Sequence, residues 1–123
     1  MPEISYTRVN DNTPVLVGCA QLTDKRGVEG YNYLEILTEV SKKALIDCEA
    51  SKDFRQEIDT VGVIRFVADT PQRDSATSDL WGYPNMPRSL ARSLGFNAKN
   101  EIYTTTGGNS PQIAINELSL IHI

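Results

Sequence analysis

Residues 101–118 read EIYTTTGGNSPQIAINEL, and the reading of the chain turns on this stretch. A β-rich run from Ile102 to Thr106 meets a corner at Gly107-Gly108 and then a helix start. Ser110 is of the type that caps helices, and Pro111 would take the first helical position, where a missing N–H costs nothing. Ile113, Ala114 and Leu118 recur at helical spacing. A strand that turns through glycines into a helix aims unpaired backbone N–H groups, and the positive end of the helix dipole, at one place. Anionic ligands and developing oxyanions are stabilised there. The plainer alternative is an ordinary strand-to-helix turn whose glycines only supply unusual backbone angles.

Upstream of this corner the chain alternates strand and helix signals. Residues 1–13 are polar and expected to be extended. Pro14 opens a predicted strand, Val15–Ala20, whose continuous apolar character suits burial on both faces in a parallel sheet. Gln21–Gly30 is a polar loop. Its Asp24-Lys25-Arg26 cluster reads as solvated surface, with a ligand site at a strand's carboxyl end as the alternative. Tyr31–Ala50 is the clearest helix, with an apolar stripe through Leu34, Leu37, Ala44, Leu45 and Cys48, widened by Ile36 and Val40. Glu39 and Lys43 form a favourable i,i+4 pair on its polar face.

Ser51–Glu57 is a charged connection with room for a helical turn, and Ile58–Val67 reads as the second strand. Residues 68–84 read as a long polar loop whose Trp81 and Tyr83 are expected to dock it onto the body or a second subunit, with stacking on a ligand as the alternative. Asn85–Leu94 is a short helix capped by Asn85, with Pro87 near its start. Leu90, Ala91 and Leu94 face inward, and Gly95 closes it. Arg88 and Arg92 share a face, read as a solvated basic edge, with a cofactor-phosphate site as the alternative. The order of elements argues an α/β fold with a mostly parallel sheet.

Composition narrows the functional classes. The 123 residues are 40% hydrophobic and 23% charged, with 12 basic and 16 acidic residues and a net charge of −4. That suits one domain or part of a larger one. No basic block interleaved with aromatics marks a nucleic-acid surface. No apolar stretch reaches the length of a membrane span, and the polar, proline-containing start lacks a secretory block. A cytoplasmic protein is expected. Cys19 and Cys48 have no metal-ligand spacing and read as reduced, mostly packed thiols, with a reactive thiol as the alternative, and no metal site is expected. The one histidine, His122, lies second from the end, too far out to activate a nucleophile in the body of the chain.

Four chemical patterns can be tested at the corner. A Walker loop needs Gly-Lys-Ser/Thr, and residues 104–112 contain no lysine. The dinucleotide fingerprint G-x-G-x-x-G is not met. A nucleophile elbow would place a glycine where Gln112 stands, and a serine hydrolase built on Ser110 is only a weak alternative. The fourth pattern extends along nearly the whole chain, which resembles the amino-terminal half of the thiolase superfamily. Thr13–Ala20 looks like the first strand, Tyr31–Ala50 like the first helix, and Ile58–Ile64 like the start of the second strand. Asn85–Gly95 resembles the helix before the third strand, and Ile102–Asn116 falls where that family turns into its catalytic helix.

The resemblance implies a thiolase-like α/β half-fold, incomplete over residues 14–123, of the kind labelled acetyl-CoA acetyltransferase. It implies an acyl-CoA thioester as substrate, no bound cofactor, and a homodimer in the full-length protein, with Ile102–Thr106 near the interface. The implied substrate-binding residues are Thr106, Gly107, Gly108, Asn109 and Ser110. The family's nucleophilic cysteine would fall on Gly107, or on Thr106 if the alignment slips by one, so no catalytic residue is assigned. The family's acid/base histidine and second cysteine belong to a carboxy-terminal half. The chain stops partway through the implied catalytic helix, which suggests a truncated reading frame with residues 120–123 as a non-native tail. The resemblance leaves two functions open: a fragment of an acyltransferase, or a non-catalytic acyl-CoA-binding or scaffold subunit.

Overall fold

In a computed structural model, which describes residues 8–65 and 85–120, helices form where caps flank an apolar repeat. Helix α1 spans Tyr33–Asp47. The Asn32 side chain accepts from the Glu35 N–H (2.9 Å), and the Glu35 carboxylate accepts from the Asn32 N–H (2.9 Å). This capping box satisfies two donors that the helix itself cannot. The helix begins two residues later than its apolar pattern predicts, because the Tyr31 N–H donates to Asp24 (2.7 Å) instead. It ends at Cys48, and Glu49 takes a left-handed φ of 51°, a turn that breaks the helical path. Glu39 pairs with Lys42 at 3.1 Å, not with Lys43 as expected.

Strands β1 (Thr60–Val63) and β2 (Asn100–Tyr103) form a two-stranded parallel sheet, with Thr60 opposite Asn100 and Val63 opposite Tyr103. The Asp59 carbonyl accepts from the N–H groups of Lys99 and Asn100 at one end, and the Thr104 N–H donates to the Val63 carbonyl at the other. Both strands are shorter than expected. The charged connection before β1 does hold a short 3-10 turn, Arg55–Glu57.

Helix α2 (Met86–Leu94) follows its predicted grammar closely. Asn85 accepts from the Arg88 N–H at 3.1 Å, proline lies in the first turn, and Gly95 closes the helix at φ 86°. Its Met86, Leu90, Ala91 and Leu94 join Val63 and Phe96 in the buried core, with Leu34, Leu37, Val61 and Tyr103 packed around them. The helix therefore lies between α1 and the sheet. Its last carbonyls are met from outside: Arg55 donates to the Leu94 carbonyl (3.0 Å) and Gln56 to that of Gly95 (2.8 Å). Helix α3 (Ser110–Leu120) packs over β1, where Leu118 lies against Gly62.

One predicted element is corrected. Val15–Ala20 forms no strand, and Val15, Leu16 and Val17 are 71%, 85% and 63% exposed. The segment makes no ladder with a described strand. Instead Gly18 lies on the end of α1, so close that a Cβ there would stand 2.5 Å from the Ala44 carbonyl. The Cys19 N–H donates to the Asp47 carboxylate (2.9 Å). An apolar run becomes a strand only where another strand offers its free edge, and here the end of α1 takes the segment first. The predicted loop at 68–84 with Trp81 and Tyr83, the end of Ile58–Val67, and His122 lie outside the described residues.

This packing predicts a sharp contrast between two apolar residues. Leu90→Ala should cost about 2–5 kcal/mol of unfolding free energy, whereas Ile46→Ala, at a site 76% exposed, should change it by about 0.5 kcal/mol or less. Urea unfolding of the two variants checks this, and equal losses would contradict the placement of α2 in the core.

Candidate functional site

The corner begins where the carboxyl ends of β1 and β2 lie side by side. Thr104, the first residue past β2, is buried and held at three points. Its N–H donates to the Val63 carbonyl (3.1 Å), its hydroxyl oxygen accepts from the Arg65 N–H (3.1 Å), and its carbonyl accepts from Arg65 Nε (3.1 Å). The Arg65 guanidinium lies over the Tyr103 ring, 4.0 Å from its centroid, a cation–π arrangement. Nothing in the sequence pattern singled out Arg65. Its only signal is a cation at the end of an apolar strand.

Thr106, Gly107, Gly108 and Asn109 form an exposed turn, and Ser110 is fully buried behind it. The Ser110 hydroxyl donates to the Thr105 carbonyl (2.5 Å), and the Ser110 N–H donates to the Gly107 carbonyl (3.1 Å). These two bonds close the turn on itself. The Asn109 carbonyl accepts the first helical bond, from the Ile113 N–H (3.2 Å). Asn109 is therefore the cap, Ser110 the first helical residue and Pro111 the second, so the helix starts one residue earlier than the sequence suggested. A hydroxyl that is buried and already donating is no nucleophile, which removes the support for a serine hydrolase on Ser110.

The two glycines also behave differently from the plain-turn reading. Among the described residues only Gly27 and Gly95 are glycines with positive φ, so Gly107 and Gly108 supply no unusual backbone angle. A Cβ on Gly108 would meet nothing within 4 Å, and one on Gly107 would meet the Asn109 side-chain oxygen at 2.9 Å. What the glycines provide is bare, accessible backbone at a helix N-terminus. The first turn of α3 contains no acid, so no carboxylate there offsets the positive end of its dipole.

The other candidate clusters are used internally. Asp24 accepts from the Arg26 backbone (3.1 Å), from Arg26 Nε and Nη2 (both 2.9 Å), and from the Tyr31 N–H. Its side chain is nearly buried, and the Arg26 bonds, then that of Tyr31, hold its carboxyl far below the usual aspartate range. The Asp24 carboxylate also lies where a Cβ on Gly30 would go. Lys25 and Arg26 are exposed, as read, whereas the Asp24 carboxylate is drawn inward and closes the loop. Arg88 likewise is not a free basic edge. It donates to Glu101 at 2.9 and 3.3 Å, beside Asn85 at 2.7 Å, and the Arg88 bonds, then that of Asn85, lower the Glu101 pKa. Cys19 is exposed, unlike the packed thiol expected, while Cys48 is half-buried and donates to the Ala44 carbonyl (3.3 Å).

Among the described residues no cluster of three or more His, Cys, Asp or Glu could hold a metal, and no helix is long and apolar enough to cross a membrane.

Set beside known proteins, the chain matches the crystal structure of a monomeric SCP2-thiolase-like protein type 1 from Mycobacterium smegmatis. The TM-score is 0.69 at 32% identity, over 91% of this chain and 21% of that one. No protein-family model and no curated protein matches. The fold is α/β and thiolase-like, as the order of motifs implied. The chain spans about a fifth of the length of the structure it matches.

Gly107→Cys should fold, with stability changed by about 0.5 kcal/mol, because the one close neighbour of the new Cβ is the movable end of Asn109, the Ser110 hydroxyl standing at an ordinary 3.7 Å. A thiol at this helix N-terminus should have a lowered pKa and react with iodoacetamide faster than Cys19 at pH 7, as read by peptide mass. A rate no faster than that of Cys19 would contradict an electropositive corner. A carboxylate whose folded pKa is depressed stabilises the fold above its unfolded value of about 3.9, and this contribution is lost as the pH falls through the folded value. Asp24→Asn should thus flatten the fall in melting temperature below pH 4, and an unchanged slope would contradict the assignment.

Proposed function

We propose that the chain is the amino-terminal part of a longer thiolase-like acyltransferase acting on acyl-CoA thioesters, of the acetyl-CoA acetyltransferase type. The observation that carries this reading is the exposed backbone at Thr106–Asn109, ahead of a helix N-terminus, within a thiolase-like fold. A thioester carbonyl placed there accepts from the N–H groups around Gly107–Asn109, the Ser110 N–H being held by the Gly107 carbonyl. As a nucleophile adds to the carbonyl carbon, negative charge grows on its oxygen, and those donors with the helix dipole stabilise it. Residues 104–112 carry no cysteine, and a Thr106 hydroxyl without a base is a weak nucleophile. The attacking group in this reading therefore comes from a second substrate or from elsewhere in the longer protein.

No resident cofactor is proposed; the coenzyme A thioester is the substrate. Two free cysteines suit a reducing compartment, and the cytoplasm is proposed. The homodimer implied by the family resemblance is kept as a proposal for the longer protein, although its solved neighbour is monomeric.

The test uses that longer protein. It is incubated with acetyl-CoA and acetoacetyl-CoA while free CoA and intact mass are followed, and native mass reads the subunit count. CoA release is the expected result, and an acyl adduct would map the nucleophile. Binding without release would replace the enzyme by a thiolase-fold binding subunit. Absence of binding would remove the acyl-CoA reading, and a native mass of one chain would remove the dimer.

A further inference from the structure

We propose that Arg65 is the positioning residue of the corner, setting the backbone from which the N–H groups at Gly107–Asn109 meet a thioester carbonyl. This rests on the acyl-CoA reading for its ligand, but the structural part stands on bonds within the chain.

A chain of hydrogen bonds runs from the end of β1 to the start of α3. Arg65 leaves the end of β1 and grips Thr104 twice, through its backbone N–H to the hydroxyl oxygen and through Nε to the carbonyl. The Tyr103 ring beneath the guanidinium, at 4.0 Å, fixes the plane of the side chain. Arg65, 39 residues away in sequence, thus holds Thr104 at its hydroxyl and its carbonyl, and the Val63 carbonyl holds its amide. The next residue, Thr105, supplies the carbonyl that receives the buried Ser110 hydroxyl. Exposed residues 106–109 are thus suspended between two fixed points, Thr104–Thr105 before and Ser110 after. Only one of those points is local; the other is fixed by Arg65. An exposed loop whose ends are fixed can present converging donors without the entropy cost of ordering them at each binding event.

Lysine keeps the charge and the stack on Tyr103 but has no Nε–H at the guanidinium position. Arg65→Lys therefore separates the clamp from the charge. Thr104→Val removes the hydroxyl acceptor at constant shape, and Thr104→Ser restores it.

The experiment is amide NMR on the 123-residue chain, with hydrogen exchange measured first and acetyl-CoA and CoA then titrated in. Unchanged amide positions in α1 and α2 establish that each variant is folded, and Thr104→Val serves if Arg65→Lys is not. The expected result has three parts. Exchange at residues 106–109 quickens in Arg65→Lys and Thr104→Val and is normal in Thr104→Ser. Acetyl-CoA shifts the Gly107 and Gly108 amides of the wild type. Its affinity falls by up to about tenfold in the clamp variants, the upper end of what one neutral hydrogen bond is worth, while that of CoA, which lacks the thioester carbonyl, does not change. Normal exchange in both clamp variants, or acetyl-CoA affinity equal to wild type, overturns the proposal. If the wild type ignores acetyl-CoA, the acyl-CoA reading fails, and the exchange rates alone decide whether Arg65 positions the corner.

Discussion

Helix α2 has to be held at both ends before its apolar side can form a core, and the rest of the structure depends on that constraint. At its start Asn85 caps the helix with one side-chain atom and binds Glu101 on β2 with the other, and Arg88 reinforces the link. At its finish Arg55 and Gln56 supply donors to carbonyls that the helix leaves unpaired. Between these ends Met86, Leu90, Ala91 and Leu94 fill the space under α1 and against the sheet. A nine-residue helix is too short to persist alone in water. Its stability comes from this tertiary packing, and the parallel register of β1 and β2 is built against it.

Elements whose signals are local were legible in the sequence. Asn85, Pro87 and Gly95 bound α2 as their chemistry requires, and the capping box of Asn32 and Glu35 was present to be read although the apolar stripe alone set α1 too long. Elements that depend on a distant partner were not. Val15–Ala20 has a strand's composition, yet strand formation depends on an edge to pair with, and no pattern within six residues specifies one. Strand ends failed for the same reason. Thr104 lies inside the predicted run but is taken by Arg65, two residues past the end of the other strand.

The candidate site divides along the same line. Thr106–Asn109 lie together in an exposed turn as the glycine pattern suggested, whereas Ser110 points inward and fastens the turn. The glycines give room and not a left-handed backbone, which argues for close approach by something outside the chain. The bonds that fasten the start of the corner, from Arg65 to Thr104, span 39 residues and leave no mark in local sequence. The charged clusters that invited a ligand reading, Asp24 with Arg26 and Arg88 with Glu101, neutralise each other within the fold.

The most direct test of the account is the carbon-13 resonance of acetyl-CoA labelled at its thioester carbonyl, recorded with and without the 123-residue chain. If the N–H groups of the corner donate to that carbonyl, its resonance moves downfield on binding, and the shift is competed away by unlabelled acetyl-CoA. A carbonyl resonance that stays at its free position while the nucleotide resonances broaden would mean that the ligand binds elsewhere, contradicting the central role given to Thr106–Ser110.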